Sequence, residues 1–139
     1  MSEIYNLART IKLMVDVVEE YGPETTYESQ WRKVYDQESF NSEVVCRNFL
    51  VNKDGCRVPA CVVGVGLSRV SDVDSWDDGV MTAGVAVLTG YLATALGVRF
   101  TSAAACFLAV MQMAQDDGAT WGESLRLAME RDLSNAIDL

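Results

Sequence analysis

Histidine is absent from the 139 residues of this chain, and basic residues are few: 11 lysines and arginines stand against 20 aspartates and glutamates. The missing imidazole removes the commonest general base, proton shuttle and metal ligand from any mechanism. The net charge of −9 repels phosphate backbones and anionic membrane surfaces. The sequence therefore predicts no direct nucleic-acid binding, no membrane partner, no cofactor and no enzymatic activity.

Half of the residues are hydrophobic and 22% are charged, which is the composition of a chain that folds around a core. The length suits a single domain spanning residues 1–139. Residues 1–20 carry charges throughout and do not resemble a secretory signal, so we expect a cytoplasmic protein. In that compartment the four cysteines, Cys46, Cys56, Cys61 and Cys106, are expected to be reduced thiols.

The amino-terminal segment has the apolar spacing of an amphipathic helix. Apolar residues recur at steps of three and four from Ile4 to Tyr21, Ser2 can cap the start, and Gly22-Pro23 ends the pattern. The same spacing fits either a helix that faces the core or a coiled-coil seam, which leaves a homo-oligomer open. Residues 24–42 show no clean period and are expected to be mostly loop, with at most one short helix.

The rest of the chain predicts one hairpin and four more helices. Residues 44–51 are rich in β-formers, and 52–55 supply turn residues before a second short strand at 56–58. The predicted helices span 60–70 with Pro59 at the entry, 75–96, 101–118, and the segment after Thr120, whose apolar side would be Leu125, Met129 and Leu133. The predicted fold is mainly α with a small β-hairpin, an α+β domain of about five helices in which the third and fourth are central.

Residues 79–98 contain no charged side chain and are long enough to cross a bilayer. Their content of glycine and threonine, and a second uncharged run at 100–115, argue instead for central helices of a helical bundle. We therefore expect a buried helix here, with a membrane-inserted helix as the alternative.

Several residues could carry chemistry, and each has a structural alternative. Cys61 is expected in the first turn of a helix, where the dipole can lower a thiol pKa, but no histidine can activate it and packing is the simpler role. Cys46, Cys56 and Cys61 lack the spacing of a zinc site. The glycines of Gly64-Val65-Gly66 lack the third glycine of a dinucleotide fingerprint.

Four aspartates, Asp72, Asp74, Asp77 and Asp78, crowd one short segment. Their spacing does not fit a calcium loop, which favours a solvated loop before a helix. Aromatic residues among polar neighbours, namely Trp31, Tyr35, Phe40 and Trp76, are either exposed or cap the core.

Exposed aromatics beside acids are typical of a protein interface. We therefore expect a small acidic interaction protein that binds a host or self protein through Trp31, Tyr35, Asp72, Asp74, Trp76, Asp77 and Asp78. One alternative is a small-ligand binding or sequestering protein, with its site between the hairpin and the uncharged helices near Gly64, Gly84 and Gly90. A further alternative is an acidic DNA mimic that uses residues 16–28 and 72–78.

Two motifs carry a resemblance: Gly55-x-x-x-Pro59-x-Cys61-x-Val63-Gly64-x-x-Leu67 and Gln112-x-x-Gln115-Asp116-x-Gly118-x-Thr120-Trp121-Gly122-x-x-Leu125. In these motifs the chain resembles a group of short proteins from actinobacteria and their bacteriophages, over about the last two-thirds of its length. That group has no assigned activity, so the resemblance implies no catalytic or binding residue. It implies a small cytosolic accessory protein of the phage type.

Overall fold

A computed structural model describes residues 3–35, 47–131 and 138. Six α-helices, two 3₁₀ turns and two pairs of short strands form this part of the chain. The elements are β1 Glu3–Tyr5, α1 Leu7–Tyr21, α2 Tyr27–Tyr35, β2 Phe49–Val51, β3 Arg57–Pro59, α3 Val62–Ser68, the 3₁₀ turns Val73–Ser75 and Asp78–Val80, α4 Val85–Leu96, β4 Val98–Phe100, α5 Ser102–Asp116 and α6 Trp121–Glu130. This is the mainly α fold with a small hairpin that the sequence predicts.

The hairpin is confirmed, with shorter strands than expected. Strands β2 and β3 pair antiparallel, with Phe49 opposite Pro59. The Asn52 side chain closes the turn by accepting the backbone N–H groups of Asp54 (3.0 Å) and Cys56 (2.9 Å). Residues 44–46 of the predicted first strand lie outside the described residues.

The first turn of the predicted amino-terminal helix is instead a strand. Residues Glu3–Tyr5 pair in parallel with Val98–Phe100, and α1 begins only after Asn6, whose side chain accepts the Arg9 N–H at 2.9 Å. The prediction of a helix from Ser2 is wrong at its start because the pairing partner lies far away in sequence, where local periodicity cannot reveal it. The predicted end of the helix at Gly22 is confirmed.

The apolar stripe of α1 packs inside its own chain. Met14 and Val17 are fully buried and Val18 is 6% exposed. The core-facing alternative is therefore the one that the structure shows for this helix. Residues 27–35 form α2 within the segment expected to be mostly loop, and residues 36–42 lie outside the described residues.

The helix predicted over 75–96 begins late, at Val85, and its predicted end at Gly97 is confirmed. Two 3₁₀ turns occupy the preceding residues because the side chains of Asp72 and Asp77 accept N–H groups two residues on, a local bond that competes with helix formation. The helix predicted over 60–70 also begins later than expected. Pro59 is the last residue of β3, and α3 begins after Cys61.

Helix α5 lies at the centre of the fold, but α4 does not. The inner face of α5 is buried, including Phe107, Leu108 and Met111. Helix α4 leaves Val87 64% exposed and Gly90 at the surface, so the expectation of two central helices holds only for α5. Among the described residues, no helix combines the length and the apolar character needed to span a membrane.

The start of the last helix is confirmed, and one part of its predicted apolar side is wrong. Thr120 caps α6 by accepting the Glu123 N–H at 3.1 Å. The buried face is formed by Trp121, Ser124 and Ala128, whereas Met129 is 54% exposed. The small Ser124 and Ala128 allow α6 to pack closely. Leu133 lies outside the described residues.

Candidate functional site

The four clustered aspartates lie in one exposed loop, residues 72–78, which we call the acidic loop. Asp72 accepts the Asp74 N–H at 3.0 Å, and Asp77 accepts the Gly79 N–H at 2.8 Å. Each bond caps one of the two 3₁₀ turns. The aspartates therefore help to build the loop while all four carboxylates stay at the surface.

Trp76 anchors the acidic loop to the core. Its ring is 2% exposed and meets Phe49 edge-on with centroids 6.2 Å apart, and its Nε1 donates to the Ser71 hydroxyl at 2.9 Å. Of the two alternatives for Trp76, the structure shows the one in which it caps the core, so its ring is not exposed for binding. The indole packs against Phe49 and still finds a hydrogen-bond partner.

Arg57 and Tyr91 hold the acidic loop from both sides. The Arg57 guanidinium donates to the Trp76 carbonyl and to Asp78 (2.6 Å), while it lies over the Phe49 ring at 4.8 Å from the centroid. The Tyr91 hydroxyl on α4 donates to the Ser75 carbonyl at 3.2 Å and accepts the Asp77 N–H at 3.3 Å. No local sequence pattern points to either residue, because these contacts are long-range.

The acidic loop presents negative charge that the described part of the chain does not neutralise. Asp78 pairs with Arg57, but Asp72, Asp74 and Asp77 have no lysine or arginine partner among residues 3–35, 47–131 and 138. The backbone that carries them is held by caps, the Trp76 anchor and Arg57. A partner with a basic surface would therefore meet carboxylates that are already in position.

The aromatic pair predicted for the same surface lies on the other side of the hairpin. Trp31 and Tyr35 of α2 contact each other edge-on, with centroids 5.1 Å apart, and both are half-buried. Gln30 of α2 donates to the Pro59 carbonyl at 3.2 Å, while Arg57 on the same strand reaches the acidic loop. Strand β3 thus separates the two groups of predicted residues. Phe40 lies outside the described residues.

Cys61 is not an activated nucleophile. Its side chain is fully buried, accepts the Gly64 N–H at 3.2 Å and donates to Asn48 Oδ1 at 3.3 Å. Burial raises the pKa of the Cys61 thiol from 9.0 to about 12, an effect that the Gly64 N–H only partly offsets. The packing role that the sequence favours is therefore confirmed, and the thiol also caps the start of α3 in the core.

A buried asparagine that the sequence analysis missed ties the hairpin, α3 and the second 3₁₀ turn together. Asn48 Nδ2 donates to the carbonyls of Val80 (2.6 Å) and Ala83 (3.0 Å), and its backbone carbonyl accepts the Ala60 N–H at 3.1 Å. With the Cys61 bond, its side-chain polar atoms are satisfied in the interior. An isolated asparagine carries no sequence signal of this role.

The two motifs that carry the family resemblance meet in space. Gln115 of α5 is 2% exposed, and its Oε1 accepts the Val62 N–H in the first turn of α3 at 2.8 Å. Gly122 in the second motif donates its N–H to the Pro23 carbonyl at 2.9 Å. These contacts are structural, and they join helices rather than form a reaction centre.

Close packing leaves no free space at Gly64, where the alternative hypothesis places a ligand. A methyl group at Gly64 would lie 2.1 Å from the backbone oxygen of Asn48. Gly84 and Gly90 are exposed rather than lining a cavity between elements. A cleft of about 630 Å³ lies instead between the end of α1, α2 and the hairpin, and it includes Lys33 and Gln30.

The described residues contain no group of three acidic, cysteine or histidine side chains arranged to hold a metal ion. Cys56, Cys61 and Cys106 are free thiols, and Cys46 lies outside the described residues. Comparison with models of known protein families, with curated proteins and with solved structures gave no match. The resemblance to the actinobacterial and phage proteins stays a prediction.

Proposed function

We propose that this chain is a small acidic interaction protein that binds and modulates another protein, without catalysis, through the acidic loop. The observation that carries the proposal is the combination of three exposed carboxylates without a cationic partner in the described residues and a backbone anchored by the buried Trp76. An unpaired charge cluster on a fixed backbone favours association because little ordering is needed when the partner binds.

The partner surface that suits this loop is basic. Exposed charges of opposite sign accelerate encounter and select the partner, while each exposed pair adds little affinity by itself. Trp31 and Tyr35, half-buried across the hairpin, supply a second contact area for a partner large enough to span β3. The host or self protein that we expect as partner therefore carries a lysine- and arginine-rich patch.

The proposal is tested by comparing the proteins that three versions of the chain capture from a cell lysate. The loop variant combines Asp72→Asn, Asp74→Asn and Asp77→Asn. The control variant combines Asp16→Asn, Glu19→Gln and Asp54→Asn, three exposed acids outside the loop. Both variants lose the same amount of negative charge, and asparagine keeps the side-chain carbonyl that caps each 3₁₀ turn.

We expect the wild type and the control variant to retain the same protein in stoichiometric amount, and the loop variant to retain markedly less of it. A partner that both variants lose equally would contradict a role of the loop, because net charge alone would then explain binding. Turnover of a metabolite by the purified chain, with no partner captured, would contradict the non-enzymatic function as a whole.

The ion pairs of α1 and α2 argue against the DNA-mimic alternative. In the stretch 16–28, Glu20 pairs with Arg69 and Glu28 pairs with Arg32 at 3.5 Å. Cations therefore neutralise part of the acidic series that would have to imitate DNA phosphates. We expect no competition between this chain and DNA for a DNA-binding protein.

We place this activity in the cytoplasm, as that of an accessory protein of the phage type. The free thiols of Cys56, Cys61 and Cys106 suit a reducing compartment. The resemblance in the two sequence motifs supports the phage-type role.

A further inference from the structure

We propose that the cleft between the end of α1, α2 and the hairpin binds a small hydroxylated molecule that carries one phosphate or carboxylate group. The cleft has a volume of about 630 Å³, within the range of small-molecule sites. Its polar and charged lining residues include Glu20, Thr25, Ser29, Gln30, Lys33 and Asn52. This site is separate from the acidic loop, so the proposal is independent of the proposed function.

The charge in the cleft favours an anion. Lys33 is exposed and has no acidic partner in the described part of the chain. The carboxylate in the lining, Glu20, is already paired with Arg69. Lys33 is therefore the uncompensated charge that faces a ligand, and an ammonium group binds phosphate or carboxylate as a point charge.

The polar groups beside Lys33 include hydrogen-bond acceptors, which suit a ligand that also donates hydrogen bonds. Gln30 is 5% exposed, and its Nε2 donates to the Pro59 carbonyl, while its Oε1 has no hydrogen-bond partner in the described residues. The Thr25 hydroxyl donates to the Tyr21 carbonyl at 2.7 Å, which leaves its oxygen as an acceptor. Both oxygens are therefore acceptors that a ligand in the cleft can use if it donates hydrogen bonds.

Asn52 supplies the complementary donor. Its Oδ1 accepts two backbone N–H groups of the hairpin turn, which leaves its Nδ2 free to donate. Acceptors and donors therefore line the same cleft. A hydroxyl group of a ligand can bond to either kind of group, because it both donates and accepts hydrogen bonds. We therefore assign a polyol with one acidic group rather than a simple anion or an apolar molecule.

The test is an NMR titration of the ¹⁵N-labelled protein with glucose 6-phosphate, gluconate, glucose and inorganic phosphate. Because the net charge of −9 opposes anions, we expect affinities on the order of millimolar for glucose 6-phosphate and gluconate. The shifted amides should be those of Thr25, Ser29, Gln30, Lys33 and Asn52. Glucose and inorganic phosphate should each bind at least about tenfold more weakly.

Lys33→Gln should weaken the binding of glucose 6-phosphate by about tenfold, since a charge-assisted hydrogen bond is lost. Lys12→Gln is the matched control, because Lys12 is an exposed lysine of α1 outside the cleft, and it should leave the affinity unchanged. The proposal is overturned if neither sugar derivative gives saturable shifts in the cleft, if inorganic phosphate binds equally well, or if the two variants behave alike. None of these results bears on capture of a partner by the acidic loop.

Discussion

The thiol of Cys61 shows how the environment of a single residue decides its chemistry. The same helix start that offers it a backbone N–H also buries it completely, and desolvation of a thiolate outweighs one hydrogen bond. Cys61 is therefore held as the neutral thiol, and it can donate its proton to Asn48 Oδ1.

Labelling of the native protein with iodoacetamide should modify Cys56 and Cys106, which are exposed, and spare Cys61. Cys61 should react only after unfolding. Peptide mass spectrometry after labelling with and without denaturant measures each site. Rapid modification of Cys61 in the native state at neutral pH would contradict its burial.

The raised pKa of Cys61 also makes a prediction for alkaline pH. Because its folded pKa of about 12 exceeds its ordinary value of 9.0, the neutral thiol is the favoured form in the folded state. Its contribution to stability is full below pH 9.0 and is lost as the pH rises from there through about 12. In this pH range the free energy of unfolding should fall less steeply with pH in Cys61→Ala than in the wild type. Urea unfolding at each pH measures the difference.

Gly64 and Gly90 should respond in opposite directions to alanine. A methyl group at Gly64 meets the Asn48 backbone, which cannot move like a side chain, so Gly64→Ala should destabilise the fold by about 1–3 kcal/mol. Gly90 lies on the exposed face of α4 with nothing near it, so Gly90→Ala should stabilise it by about 0.5–1 kcal/mol. Urea unfolding measures both, and a neutral effect of Gly64→Ala would contradict the close approach.

At the scale of the elements, helices α1 and α5 start side by side. Their preceding strands, β1 and β4, pair in parallel, and Asp138 accepts the Leu7 N–H at 2.8 Å and the Thr101 hydroxyl at 2.7 Å. One carboxylate near the end of the chain thus joins the first turn of α1 to the N-cap of α5. A negative charge in this position also interacts favourably with both helix dipoles.

Asp138→Asn should lower the free energy of unfolding by about 0.3–1 kcal/mol, because the charge at the two helix starts is removed. Asp54→Asn, at the exposed hairpin turn, is the matched control and should have no effect. Thermal unfolding of the two variants at low salt measures the difference. Equal stability of both variants would mean that the Asp138 contact contributes nothing.

The elements that could be predicted are those whose ends are encoded locally. Thr101 and Thr120 cap α5 and α6, Gly97 ends α4, and Asn52 closes the hairpin, all through bonds to residues within five positions. Strand β1 could not be predicted, because its pairing partner is β4. The two 3₁₀ turns could not be predicted either. Acidic residues are common in the first turn of a helix, but here Asp72 and Asp77 accept the N–H groups two residues on and cap 3₁₀ turns instead.

In the candidate site, too, the features encoded locally can be predicted and those that depend on distant residues cannot. The exposure of Asp72, Asp74 and Asp77 follows from their charge and spacing. The burial of Trp76 does not, because it depends on Phe49 at a distant point of the chain. The cleft around Lys33 joins three separate segments and leaves no pattern in any one of them.

At the scale of the whole molecule, charge is distributed unevenly. Residues 79–98 have no charged side chain, while the acidic loop just before them has four. If the loop binds a basic protein, the complex should weaken as salt rises. Dissolved ions shorten the range of attraction between exposed charges, and the Debye length is about 10 Å at 0.1 M salt. Titration calorimetry at increasing sodium chloride measures this, and a complex that strengthens with salt would indicate an apolar interface instead.

The most direct test of the account is the affinity of the captured partner for the purified wild type, the loop variant and the control variant. Three exposed ion pairs at about 0.2–1 kcal/mol each predict an affinity loss of about tenfold in the loop variant. The control variant should stay within about twofold of the wild type. Equal affinities of the loop and control variants would contradict the assignment of binding to the acidic loop.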